Sequence, residues 1–239
     1  MAEAKRVRLD PRMSNHKLGS YVDEPSPRER WRIIRDQKFL SPFIVTVYRR
    51  AEELISRALV TGGDISAALA QAEQQLAQMP FGGANGERNR RCNRKAVASF
   101  ATMLKQLDIS GAEFWRYDRQ GFALRVEGVK LSVSPSVGIR VERRGRVLTG
   151  AVQLVFRQEE QLGLRGGSVV AELLRQSLVE RSAGTRSEQV SRELCIVCDV
   201  FHGRVFQAPS RSVTLNRDIA AACREIRMNW PSVLHQLAA

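Results

Sequence analysis

The chain has no long apolar run. Nowhere does it approach the roughly 20 consecutive apolar residues a membrane helix needs, and Met1–Asp10 carries no apolar stretch of the kind that marks a secretory signal. A soluble, cytoplasmic protein with no membrane partner is the expectation. Histidine is scarce: the three in 239 residues, His16, His202 and His235, have no partner at metal-ligand spacing. Cysteine is scarce too. Of the four, Cys195 and Cys198 have C-x-x-C spacing, yet no second pair and no paired histidine completes a tetrahedral zinc site. They stand in Leu194–Phe201, which reads as a buried strand, where residues three apart face opposite ways. Two separate core thiols are expected. No Gly-x-Ser-x-Gly elbow marks a serine nucleophile. The glycine-rich stretch Phe81–Gly86 lacks the Gly-Lys-Ser/Thr ending of a phosphate loop and follows no strand, so it reads as a connection.

What the chain does have is positive charge. Lys and Arg number 38 against 25 acids, a formal charge of +13, and only six of the 38 are lysines. Such an excess attracts polyanions, of which nucleic acid is the commonest, unless it reflects arginine usage alone. At 239 residues, 43% hydrophobic and 26% charged, the chain suits one sizeable core with a small accessory region.

Three regions are expected. Residues 1–28 are polar, with Pro11, Pro25 and Pro27, and read as a basic, flexible arm. Residues 29–91 read as helical. Ser41 is placed to cap a helix opened by Pro42, whose apolar period runs from Ile44 to Leu59. Gly62-Gly63 ends it, Asp64 caps the next, and Pro80 stops that one. Arg88, Arg90, Arg91, Arg94 and Lys95 then lead into a helix with the apolar face Val97, Phe100, Ala101, Leu104 and Leu107.

From residue 92 to 239 the pattern is α/β. Strands are expected at Glu113–Tyr117 and Gly121–Val126 around a turn, at Lys130–Val133, at Val137–Glu142 and, after the basic turn Arg143–Arg146, at Val147–Phe156. Gly150 inside the last suggests a bulge or a close backbone approach. A helix opens at Gly166-Gly167-Ser168. A buried strand at Glu193–Val200 turns at His202-Gly203 and returns over Arg204–Gln207. A final helix starts at Asn216 or Asp218 and ends at Pro231. The fold class is therefore α+β: a helical N-terminal region, then a mixed sheet with flanking helices.

Two stretches, Leu131–Val141 and Gly150–Phe156, read as adjacent strands. With the helices around them they resemble the αβββαβ core of the PD-(D/E)XK nucleases, and more narrowly a group of uncharacterised bacterial proteins of that type. The resemblance covers about Cys92 to Trp230. It implies a restriction-endonuclease-like fold whose active members hold Mg²⁺ on an Asp after the Pro and on an acid of the next strand, with a Lys two residues on. Here Pro135 is followed by Ser136, and the next strand carries Ala151 and Gln153. None supplies a carboxylate or an ammonium. The resemblance thus implies degenerate catalytic positions and no cofactor.

Asp199, near the sheet end, is the one weak metal candidate, more readily explained as a structural pair. Glu52 and Glu53 lie on an early helix, where some nucleases of this fold keep an accessory acid. The expected function is a non-catalytic nucleic-acid-binding protein, with phosphate contacts from Arg88, Arg90, Arg91, Arg94, Lys95, Arg140, Arg143, Arg144 and Arg146. Two alternatives stand beside it. One is a module for a protein partner docking on the Ile44–Leu76 helices. The other is a Mg²⁺-dependent nuclease with displaced acids, Asp199 and Glu127.

Overall fold

A computed structural model describes residues 6–40, 47–83, 85–117, 121–182 and 189–233. The first elements are β1 (Arg6–Val7), β2 (Arg12–Ser14), α1 (Asn15–Asp23), α2 (Pro27–Lys38) and β3 (Phe39–Leu40). Helices α3 (Arg49–Thr61), α4 (Ile65–Gln78) and α5 (Gly86–Met103) follow, α5 running into a 3-10 turn at Leu104–Gln106. The strand region holds β4 (Glu113–Trp115), β5 (Phe122–Val126), β6 (Val129–Val133), β7 (Val137–Arg143) and β8 (Arg146–Val155). Then come α6 (Leu164–Ser182), β9 (Gln189–Asp199), β10 (Arg204–Gln207) and α7 (Val213–Asn229).

The main sheet has five strands in the order β10-β9-β8-β7-β4. All neighbours are antiparallel except β8 and β9, which run parallel and are joined through α6. Strand alternation sends side chains to two faces. Val137, Ile139, Val141, Val152, Leu154, Ile196 and Cys198 pack under α3, α4 and α5. Ala151, Val155, Cys195 and Val197 pack on the other face against α6, α1, α7 and a small sheet ordered β2-β6-β5. Cys195 and Cys198 thus fall into different cores, as two separate buried thiols. Among the described residues no helix is long and apolar enough to cross a membrane.

Local signals account for several boundaries. Ser26 accepts from the Glu29 N–H and Pro27 opens α2; the Asp64 carboxylate accepts from the Ala67 N–H at the start of α4. Gly62, with φ 74°, closes α3. Both two-residue hairpin turns, Glu127-Gly128 and Arg144-Gly145, have positive φ at each residue, which matches the twist of the flanking strands. Gly150 combines both expected features. The β8–β9 register shifts between Thr149 and Ala151, and a Cβ on Gly150 would lie 2.2 Å from the Leu194 carbonyl oxygen.

Several expectations are corrected. The arm is not free over its described part: β2 pairs in parallel with β6, and Met13, Leu18 and Tyr21 are buried in the main core. Its apolar residues are few, but Met13, Leu18, Tyr21 and Val22 all pack in the core, while Val7 and Leu9 stay exposed. Leu131–Val141 is two strands in two sheets, because Pro135 interrupts it and the chain changes layer there. β4 pairs with β7, and β5 with β6, so the strands on either side of residues 118–120 form no hairpin with each other. The Ser41-Pro42 helix start lies outside the described residues, and α3 is described from Arg49. Helix α7 starts at Val213, earlier than Asn216, with Ser212 in the N-cap position.

Helix α6 is the centre of the molecule, with Val169, Val170, Leu173 and Leu174 fully buried. It begins two residues before Gly166 because α1 supplies its cap. Asp23 accepts hydrogen bonds from the Gly163 and Gly166 N–H groups, both 2.8 Å. Glu172 is fully buried within it. Burial pushes its carboxyl up, but bonds from Arg175 (2.8 Å) and Gln176 (3.1 Å) and the Arg175 and Arg192 charges outweigh that and leave it below the usual value.

Candidate functional site

Ser136, Gln153 and Asp199 stand at one end of three neighbouring strands. Ser136 donates its N–H to the Val152 carbonyl, Gln153 lies opposite Val197, and Asp199 lies opposite Val155. The three side chains do not converge. The Ser136 hydroxyl bonds the Glu52 carboxylate on α3 (2.7 Å) and accepts from the Leu154 N–H (3.2 Å). Burial raises the Glu52 carboxyl above its ordinary value, and the Ser136 bond only partly offsets this. Gln153 belongs to the opposite face, beside Ala151. Its amide exchanges two hydrogen bonds with the Asn15 amide of α1, 2.7 and 2.9 Å. Both amides are buried, so neither offers a free group to a ligand.

Asp199 is fully buried and pairs as a structural residue would. One carboxylate oxygen accepts from the Leu162 N–H (3.0 Å) and the other meets His202 Nδ1 (2.9 Å). It therefore ties the segment after β8 to the turn after β9. Among the described residues no group of three His, Cys, Asp or Glu side chains is placed to hold a metal ion.

Beside this sheet end, α1 presents His16 and Lys17 to Arg157, which also bonds Ser20 and Glu160. Burial first, then the Lys17 and Arg157 charges, push the His16 imidazole down from 6.5 to about 3. A depressed histidine stabilises the fold fully above its unfolded value, and that contribution is lost as pH falls below 6.5 toward 3. We expect stability to drop by roughly 1–3 kcal/mol between neutral pH and about pH 4.5 from this group. Urea titrations across that range should show the drop, and His16→Asn should flatten it.

The nine basic residues singled out in the sequence do not form one patch. Arg88, Arg90, Arg91, Arg94 and Lys95 lie within α5 itself rather than ahead of it. Arg140, Arg143, Arg144 and Arg146 cluster at the opposite end of the sheet, where Arg143 reaches Asp108 beyond the end of α5. The 18-residue α5 puts about 27 Å between these ends. Many of the cations are also occupied. Arg90 bonds Glu87, Arg94 bonds Glu73, Arg140 bonds Glu113, and Arg143 bonds both Asp108 and Glu193. Arg88, Arg91, Lys95, Arg144 and Arg146 are exposed and have no carboxylate partner among the described residues. Arg143, Arg144 and Arg146, with Leu148 and Gln189, line an open groove of about 560 Å³.

An aromatic cluster, not singled out in the sequence, accompanies the α5 group. Tyr48 stacks on Phe156 (5.4 Å between centroids), Phe201 meets Tyr48 edge-on (5.2 Å), and Lys95 Nζ lies 5.9 Å from the Phe201 centroid. All three rings are half-buried. Burial, then the neighbouring Cys92, push the Tyr48 hydroxyl up to about 12, so it stays protonated at neutral pH. The rings come from three separate segments, which is why spacing in the sequence does not reveal them. No protein-family model matches the chain, and no curated protein is found to be similar to it.

Proposed function

We propose that this protein binds nucleic acid without cleaving it, on a degenerate nuclease-like core. The observation that carries the reading is the exposed, unpaired cation row Arg88, Arg91 and Lys95 beside the Tyr48–Phe156–Phe201 rings. Cations for phosphates next to aromatic faces for bases are the recurrent equipment of nucleic-acid surfaces. The α5, β4, β7, β8, α6, β9 succession, with β8 and β9 parallel, supports the nuclease-like core. The burial of Gln153 and Asp199 supports the loss of chemistry, since their polar atoms are committed to protein partners, and Ala151 offers only a methyl group. Binding then needs no Mg²⁺. Arg144 and Arg146 supply further phosphate contacts at the far end.

A salt titration of binding to short single- and double-stranded DNA and RNA, with and without Mg²⁺, tests this. Affinity should fall steeply with salt, be indifferent to Mg²⁺, and leave the nucleic acid intact on a denaturing gel. Replacing Arg88, Arg91 and Lys95 together by Ala should lower the log–log salt slope by about 2 on single strands, at about 0.7 per lost contact. Metal-dependent cleavage that disappears in Asp199→Ala would instead establish a displaced nuclease site. Absence of binding even at low salt would leave a protein partner as the surviving reading.

A further inference from the structure

Helix α5 carries more than its three leading cations. Arg88, Arg91, Lys95, Ala98, Thr102 and Lys105 recur at alternating steps of three and four residues, and all six are exposed. That spacing puts the first five on one face of α5, opposite the buried Asn93, Ala96, Val97, Phe100 and Met103, and Lys105 follows them in the 3-10 turn. From Arg88 to Leu107 the sequence contains no Asp or Glu. The result is a row about 26 Å long with cations at both ends and two short side chains in the middle.

The row is also narrow. Its flanking cations Arg90 and Arg94 are neutralised by Glu87 and Glu73, so positive charge is left along a single line. A duplex presents two phosphate backbones and is best met by cations spread across a surface, whereas one line of cations matches one backbone. The aromatic rings stand beside Lys95, in the first half of that line, where unstacked bases of a single strand could reach them and bases inside a duplex could not. The short Ala98 and Thr102 leave the middle of the face low enough for a backbone to lie against it.

From this geometry we propose that a single strand of nucleic acid lies along the solvent face of α5, running from Arg88 past the Tyr48–Phe156–Phe201 rings to Lys105. The inference rests on the nucleic-acid reading above and adds the path and the strandedness. It makes Ala98 and Thr102, which carry no charge, the places where the path can be interrogated.

The test uses the full chain and a fluorescently labelled oligothymidylate, with an oligothymidylate–oligoadenylate duplex of equal length for comparison. The double variant Ala98→Glu with Thr102→Glu puts two carboxylates under the strand and should weaken single-strand binding at least tenfold at low salt. The double variant Ala98→Lys with Thr102→Lys should tighten it several-fold. Both sit on an exposed helical face and should melt near the wild-type temperature by circular dichroism. If wild type binds but both variants match it, the strand does not follow α5 and the inference falls while the nucleic-acid reading stands. Tighter binding of the duplex than of the single strand overturns the strandedness. If wild type binds neither probe, the nucleic-acid reading itself has failed.

Discussion

Deletion of residues 1–23 is expected to leave a chain that does not fold, rather than one that has lost a dispensable tail. Met13 and Leu18 are completely buried and Tyr21 is 1% exposed in the main core. Removing three such side chains forfeits roughly 5–9 kcal/mol at about 1.5–3 kcal/mol each. That is most of the roughly 5–15 kcal/mol by which a domain is stable. The deletion also strips β2 from β6 and removes Asn15, leaving Gln153 with an unsatisfied buried amide. Asp23 goes too, and with it the partner of two N–H groups at the start of α6. Circular dichroism and gel filtration would report loss of the cooperative melt and an expanded or aggregated chain. A truncated protein that melts cooperatively near the full-length temperature would show that the segment is an accessory after all. A shorter deletion of residues 1–5 serves as the control for handling of the terminus.

Gly166→Ala is the second large effect, and its sign separates two kinds of reasoning. Helix propensity alone favours Ala over Gly by up to about 1 kcal/mol. The packing of α1 on α6 decides otherwise. A Cβ on Gly166 would sit 2.1 Å from an Asp23 carboxylate oxygen and 2.5 Å from the Gly19 carbonyl oxygen. The contact is tight from the other side as well, since a Cβ on Gly19 would lie 2.7 Å from the Gly166 carbonyl oxygen. Neither backbone can give without moving a whole helix, and moving α1 also pulls the cap from α6. We expect a loss of about 3 kcal/mol, the upper part of the usual overpacking range. At roughly 2–4 °C per kcal/mol for a chain of this size, the melting temperature should fall by roughly 6–12 °C. Gly82→Ala is the matched control, since a Cβ there meets nothing within 4 Å. A Gly166→Ala protein as stable as wild type would mean that α1 does not approach α6 this closely.

The candidate site was legible in the sequence only in part. The acid-free, arginine-rich stretch was visible because charge is carried residue by residue. Which of its cations are free was not, because Arg94 is neutralised by Glu73, 21 positions away on a different helix. The positions that the nuclease resemblance picks out, Ser136, Ala151 and Gln153, could be named from the strands that hold them. Their separation onto two faces could not, since Ser136 finds its partner 84 residues away on α3 and Gln153 finds its own 138 residues away on α1. Asp23 and Asn15 gave no local signal at all. Their significance lies wholly in what they meet.

The sequence by itself determined the α+β class, the C-terminal end of α3, both ends of α4, the β7–β8 pairing, the bulge at Gly150 and the opposed faces of Cys195 and Cys198. Each of these follows from periodicity, a cap or a turn residue acting over a few positions. Only the tertiary structure decided that residues 12–23 belong to the core, that Leu131–Val141 divides between two sheets, and that the basic residues gather at two distant ends. Those outcomes depend on contacts between groups far apart in the chain. A short, polar-looking segment with few apolar residues reads as a tail until the surface that buries Met13, Leu18 and Tyr21 has formed.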